Sequence, residues 1–309
     1  MIMAAKANRK KKRVLRVITI TFAAFVLLSL AATKLVYDGI FRRYDPQTAA
    51  CSCVEREMPR FMAGENELQG YYYPSSEKKV LVLLAPGFHA GADSYAQQIH
   101  CFQERGWGVF SFDPTGSYES GGESYVGFPQ EIYDLSAAID YLDSCDRYGY
   151  EALVLFGHSR GGYAVCAMAA SDYDISAIIS VAGVNSAMDA VMEPAADAVG
   201  PLAYVNYPFL WMYQSLLFDY DTANLEVSEL LNSTEIPTLI IHGVADETVS
   251  HDAHSVMAHR AEIQSGKVHF LSWEERGAQG HVDILYDADG TANEELMAEI
   301  AAFINKEIN

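Results

Sequence analysis

Positive charge is scarce in this sequence. Lysine and arginine number 21 against 41 aspartates and glutamates, a formal net charge of -20. Seven of the basic residues (Lys6, Arg9, Lys10, Lys11, Lys12, Arg13 and Arg16) fall within the first sixteen positions, so the remainder is more acidic still. Such a surface repels phosphate backbones, which argues against nucleic acid as a partner. The acidity itself reads as solubility and weak self-repulsion. Cysteine is also sparse: Cys51, Cys53, Cys101, Cys145 and Cys166. Their odd number leaves at least one thiol unpaired within the chain. Cys51-Ser52-Cys53 has neither a second pair nor a nearby histidine cluster, which argues against a zinc site. Cys166 falls on an expected helix, where it serves as a small buried apolar residue. Internal repeats and low-complexity stretches are lacking. Half of the residues are apolar and one in five is charged, so the composition is not that of a disordered chain. A length of 309 residues holds one large domain with an N-terminal appendage, or two small domains.

There is one long hydrophobic run. Val17 to Thr33 carries no charge, and apolar residues resume after Lys34 with Leu35, Val36 and Tyr37. A bilayer-crossing helix needs roughly 20 residues, and Lys34 at its end can snorkel to the interface. Residues 17–37 therefore read as a transmembrane anchor, with the basic residues 1–16 cytoplasmic and the rest of the chain outside. The rival reading is a cleaved signal peptide, with small residues at Ser29-Leu30-Ala31, which would release a secreted protein. Residues 38–53 follow as a linker and 54–309 as one domain.

That domain alternates strand and helix patterns. Val54 to Phe61 and Leu68 to Tyr73 read as edge strands around the turn Gly64-Glu65-Asn66. Val80–Leu84, Val109–Phe112, Leu153–Phe156, Ile175–Val181 and Leu239–Ile241 are continuous apolar runs of strand length, which suits parallel strands covered on both faces. Helical spacing marks Gln130–Asp143 and Asn293–Lys306, and an alanine-rich helix follows Gly161. The pattern predicts an α/β fold, an open, mostly parallel, doubly wound sheet with sites at the carboxyl ends of its strands. Residues 184–236 interrupt it with Tyr204, Tyr207, Phe209, Trp211, Tyr213, Phe218 and Tyr220. They read as a short helical cap over a pocket for an apolar substrate group, or as a connecting helix whose aromatics pack on the sheet.

Three strand ends carry the chemistry. Gly157-His158-Ser159-Arg160-Gly161 directly follows Leu153–Phe156. The G-x-S-x-G spacing puts serine on a sharp strand-to-helix turn that exposes its hydroxyl, and glycines are needed where the two backbones crowd. The bare pattern arises by chance in about one such chain in ten; the apolar strand before it and the small-residue helix after it give it force. Leu239–Ile241 runs into His242-Gly243-Val244-Ala245-Asp246, a loop acid suited to fixing an imidazole tautomer. Gly277-Ala278-Gln279-Gly280-His281 delivers a histidine ahead of the last helix. His158 and His242 read as structural, and His100 as a surface or packing residue.

These segments resemble the α/β-hydrolase superfamily from about Leu68 to the C-terminus, and most closely its monoacylglycerol-lipase, cinnamoyl-esterase and serine-aminopeptidase-like branches. The resemblance implies catalysis by Ser159 as nucleophile, Asp246 as acid (Glu247 the backup) and His281 as base, in the chain order of that family. It implies an oxyanion hole from the backbone N–H groups of Arg160 and Phe88. Many relatives carry His-Gly before the second donor; this chain has Pro86-Gly87, with His89 after it. No metal or organic cofactor is required by such chemistry. The expected activity is carboxylic ester hydrolysis on a small-molecule substrate. Peptide or amide cleavage, acyl transfer or thioester hydrolysis, and non-catalytic binding stand as alternatives.

Overall fold

The computed structural model describes residues 2–46, 55–75, 77, 79–274 and 278–308. Cys51, Cys53 and Gly277 lie outside the described residues; Cys101, Cys145 and Cys166 are free thiols.

The apolar runs form the middle of an eight-stranded sheet. Its strands are β1 (Arg60–Ala63), β2 (Asn66–Tyr73), β3 (Val80–Ala85), β4 (Gly108–Phe112), β5 (Ala152–His158), β6 (Ala177–Val181), β7 (Thr238–Gly243) and β8 (Val268–Trp273). Their spatial order is β1-β2-β4-β3-β5-β6-β7-β8. The β1–β2 and β2–β4 pairs are antiparallel and the rest parallel. Every residue of β3, β4, β5, β6 and β7 is buried, as expected of strands covered on both faces.

The two faces are separated by strand alternation. Leu81, Leu83, Leu153 and Leu155 pack on one side with Leu135 and Ile139 of α3 (Gln130–Asp143) and Tyr163 and Val165 of α4 (Arg160–Ala167). Val82, Leu84, Val154 and Phe156 pack on the other with Ile99 and Phe102 of α2 (Ala96–Glu104) and Leu296 and Ile300 of α9 (Glu294–Ile308). A side-chain period of two along each strand feeds both layers from one apolar run.

Three features depart from the sequence reading. The first strand begins at Arg60, because Pro59 has no N–H for a ladder; its carbonyl accepts from the Gly70 N–H, and among the described residues 55–59 the pairing is an isolated bridge of Glu57 with Tyr72. Strand β8 and helix α2 carry no strong periodic pattern and were not expected. The stretch expected to be a linker, residues 38–53, is bound to the domain where it is described. The Tyr44 N–H donates to the Gly116 carbonyl, the Tyr125 N–H to Phe41, and the Arg43 guanidinium to the carbonyls of Tyr118, Ser120 and Gly122.

The hydrophobic run lies in a single helix, α1 (Ile2–Ile40), whose portion Asn8–Ile40 is long and apolar enough to cross a membrane. Residues 184–236 hold α5 (Ala187–Val199), a 3₁₀ turn (Gly200–Val205), α6 (Tyr207–Leu217), α7 (Tyr220–Ala223) and α8 (Val227–Leu231). Met188, Met192, Ala203 and Leu210 from this region bury against Tyr37, Phe41 and Tyr125.

Candidate active site

Strand β5 ends at His158, and Ser159 takes up φ 55°, ψ −117° before α4 begins. A non-glycine residue at positive φ is strained, and the two flanking glycines make the turn sterically feasible. A Cβ on Gly157 would come to 2.2 Å from the Gly161 carbonyl oxygen. One on Gly161 would come to 2.0 Å from that of Ala85. Alanine fits at neither position, so the G-x-S-x-G spacing follows from β5, β3 and α4 crowding together.

The structure brings Ser159, Asp246 and His281 together although they are far apart in the chain. The His281 Nε2 lies 2.9 Å from the Ser159 Oγ, and its Nδ1 2.7 Å from an Asp246 carboxylate oxygen. Because a carboxylate only accepts, Nδ1 carries the proton and Nε2 is left to accept from the serine hydroxyl. Asp246 follows β7, and its other oxygen accepts the N–H groups of Thr248 and Val249. Burial works against its charge, yet hydrogen bonds from His242 and His281 hold its carboxyl well below the ordinary carboxylate range. Gly243 explains how the 278–281 loop reaches this carboxylate: a Cβ there would stand 2.0 Å from the Gln279 carbonyl oxygen. Glu247, the backup acid, carries no hydrogen bond to His281 among the described contacts.

His242 does more than end a strand. Fully buried, it places its Nε2 3.0 Å from the same Asp246 oxygen that faces His281. His158 forms a second tie. Its Nε2 lies 2.9 Å from the His281 carbonyl and therefore donates; its Nδ1 then accepts from the Tyr95 hydroxyl at 3.0 Å, whose oxygen accepts the Gly87 N–H at 2.9 Å. This chain of bonds joins the loop after β3 to the loop bearing His281. Burial, together with the neighbouring His281, pushes the His158 imidazole down to about 3, so it stays neutral at neutral pH. Tyr95 carries no signal in the sequence because it stands just before α2, a helix without a strong periodic pattern. The remaining histidines have other neighbours: Glu104 for His100, Ser272 and Asp252 for His251, Asp189 for His254, Glu262 for His259 and Phe303 for His269.

A cavity of about 240 Å³ opens on this arrangement, lined by Gly87, Phe88, His89, Tyr95, Ser159 and His281 among others. Of the two oxyanion candidates, Phe88 lines this cavity and Arg160 directly follows Ser159. Arg160 begins α4, where a first-turn N–H has no intrahelical partner. Phe88 sits in the turn after β3, with its ring 5.1 Å from that of Tyr125. His89, at φ 59°, stacks on Tyr44 with ring centroids 4.3 Å apart. Larger cavities lie elsewhere: one of about 740 Å³ runs between β1 and α3, away from Ser159. The Arg160 side chain turns inward, wholly buried in an ion pair with buried Glu131 of α3 and lying over the Tyr125 ring.

A family model described as serine aminopeptidase, S33, matches residues 76–235, about half of the chain. The chain belongs to this family. The matched stretch of this S33 hydrolase contains Ser159 and the loop after β3, and ends ahead of Asp246 and His281. Among solved structures, an esterase from Pyrococcus furiosus superposes with a TM-score of 0.66 at 17% identity, covering 87% of this chain and 99% of that one. Among curated proteins, the polyketide transferase grgF of a Penicillium species is 29% identical over 118 residues, 37% of this chain and 40% of the relative. Protein phosphatase methylesterase 1 of Candida albicans is 24% identical over 177 residues, 54% of this chain and 48% of the relative. The matches thus span less than half the length of either curated relative. The protein is an α/β-hydrolase whose structural neighbours include esterases.

Proposed function

We propose that this chain is a membrane-anchored serine hydrolase that cleaves a carboxylic ester through an acyl-enzyme intermediate. The observation that carries this reading is the pair of hydrogen bonds on His281, 2.9 Å to the Ser159 hydroxyl and 2.7 Å to Asp246. In this reading His281 takes the serine proton as the hydroxyl attacks the ester carbonyl. The backbone N–H groups of Arg160 and Phe88 hold the tetrahedral oxyanion, each such donor contributing about 3 kcal/mol to the transition state. His281 then protonates the leaving alcohol, and water releases the acyl group by the same steps in reverse order. Asp246 keeps the imidazole in the reactive tautomer and stabilises its cation. The substrate is a small molecule with an apolar group lodged among Phe88, Val282 and Leu285. Helix α1 supplies the anchor, with its basic end cytoplasmic and the hydrolase domain on the other side.

Labelling with a fluorophosphonate probe tests the nucleophile. Wild-type protein is expected to label and Ser159→Ala not to; absence of labelling on folded wild-type protein refutes the enzymatic reading. The family's description as a serine aminopeptidase favours a second reading, cleavage of an amide. A panel of p-nitrophenyl esters set against aminoacyl p-nitroanilides separates the two, with faster turnover expected on the esters.

A further inference from the structure

Exposed apolar side chains are unevenly distributed over this molecule. Among the described residues outside α1, fourteen large hydrophobic side chains are solvent-exposed, and nine of them fall between Val199 and Tyr220. Leu202 and Leu216 are 73% and 76% exposed. The stretch from Gly200 to Phe218 contains no charged residue, in a chain that is otherwise one-fifth charged. Such a concentration of exposed apolar side chains marks a contact site.

The position of this face relative to α1 identifies what it contacts. Helix α6 and the turn before it pack along the C-terminal half of α1. Phe209 meets Phe25 edge to face at 5.8 Å, Asn206 donates to the Thr33 hydroxyl, Gln214 shares a hydrogen bond with Tyr37, and Tyr213 donates to Asp38. The contacts therefore run from Phe25 to Asp38. At 1.5 Å of rise per residue that is about 20 Å of helix, against a hydrocarbon core of about 30 Å. If α1 spans a bilayer with Tyr37 at its surface, residues paired with Phe25 and Thr33 lie below that surface.

We propose that the 199–220 face of the cap is embedded in the bilayer leaflet at the C-terminal end of α1, so that the cap and the anchor form one continuous lipid-contacting surface. This rests on reading α1 as a membrane anchor. The composition suits the assignment: leucine and valine for the acyl region, with Tyr204, Tyr207, Trp211 and Tyr220 as the amphipathic aromatics that favour the interface. The opposite side of the same cap carries Met188 and Met192, which pack in one cluster with Phe41 and Phe88. The same region thus exposes apolar side chains to the proposed leaflet and packs its buried ones in the cluster that includes Phe88.

The test uses the full chain reconstituted in phosphatidylcholine vesicles whose acyl chains are unmodified or brominated, with tryptophan emission as the readout. Of the three tryptophans, Trp107 and Trp273 are buried in the core and Trp211 lies in the cap. In a Trp211→Phe background, tryptophan is introduced as Leu202→Trp or Leu216→Trp in the face, or as Met62→Trp, an exposed site on β1, as control. Brominated lipid is expected to quench most of the emission of the introduced tryptophan in the Leu202→Trp and Leu216→Trp proteins, about a third of the total beside the core residues Trp107 and Trp273, and to leave the Met62→Trp protein unchanged. Protein that floats with the vesicles and resists carbonate extraction, yet shows no difference among the three, overturns the embedded cap while leaving the anchor intact. The same negative result with a doubled particle mass assigns the face to a second copy of the chain, which also overturns it. Protein that fails to float overturns the anchor and the embedded cap together. Fluorophosphonate labelling of the Trp211→Phe protein checks that the site is folded in every arm.

Discussion

Removing the Tyr95 hydroxyl perturbs the site without touching a proposed reacting group. In Tyr95→Phe, two buried polar groups lose their partner at once: the Gly87 N–H, 2.9 Å from the oxygen, and the His158 Nδ1, 3.0 Å from it. Tyr95 is buried but borders the small cavity at the site, so the full cost of the two unpaired groups is an upper bound. Each buried donor or acceptor left unpaired costs about 1–3 kcal/mol, which sums to a loss of up to roughly 2–6 kcal/mol of folding stability. Kinetic consequences follow from where those groups lead. Gly87 immediately precedes Phe88, and His158 holds the backbone carbonyl of His281 at 2.9 Å. Loosening both loops misplaces an oxyanion donor and the base together, and a misplacement near 1 Å costs on the order of a hundredfold in rate. The kcat is therefore expected to fall about tenfold to a hundredfold, with KM changing less than about threefold. Denaturant unfolding in detergent and p-nitrophenyl ester kinetics measure the two effects. A Tyr95→Phe protein within about 0.5 kcal/mol of wild type and with unchanged kcat would show that the network contributes nothing.

Acid sensitivity is expected from His158. Its imidazole sits near 3 in the fold against an ordinary 6.5, so between those values the unfolded chain binds a proton that the folded chain does not. Stability therefore falls as pH falls through that window, by about 1.4 kcal/mol per unit, or roughly 3 kcal/mol between about pH 6.5 and pH 4.5. His158→Gln should flatten that limb in thermal melts taken across pH, and an unchanged slope would assign it to other groups. Glu131→Gln leaves the buried Arg160 guanidinium without its anion and should cost about 3–5 kcal/mol. The double variant Glu131→Leu with Arg160→Met removes both charges and should recover most of that stability while retaining activity, since only the Arg160 backbone faces the proposed oxyanion. Gly161→Ala drives a Cβ to 2.0 Å from the Ala85 carbonyl oxygen; loss of more than about 4 kcal/mol is expected, read as absence of soluble, probe-reactive protein.

The central strands and the order of the candidate site residues were legible in the sequence because they rest on local signals. A continuous apolar run such as Val80–Leu84 fits only a doubly covered strand, and the glycines around Ser159 are dictated by backbone crowding within a few residues. The same is true of the apolar helix Asn8–Ile40, whose length and composition set its capacity to cross a bilayer. Other features depend on partners distant in the chain. The role of Tyr95 exists only because α2 brings its hydroxyl between Gly87 and His158. His242 looks like any strand-end histidine until β7 and its loop close it onto Asp246. Residues 41–46 have no periodicity, yet they add hydrogen bonds to the 116–125 segment through backbone groups that every residue possesses. Local propensity and spacing were enough to set which residues are available for chemistry. The hydrogen-bond partners that orient them, and the packing of α6 along α1, were decided only when the sheet and its loops came together, because a partner's identity is not encoded in the spacing of the residue it serves.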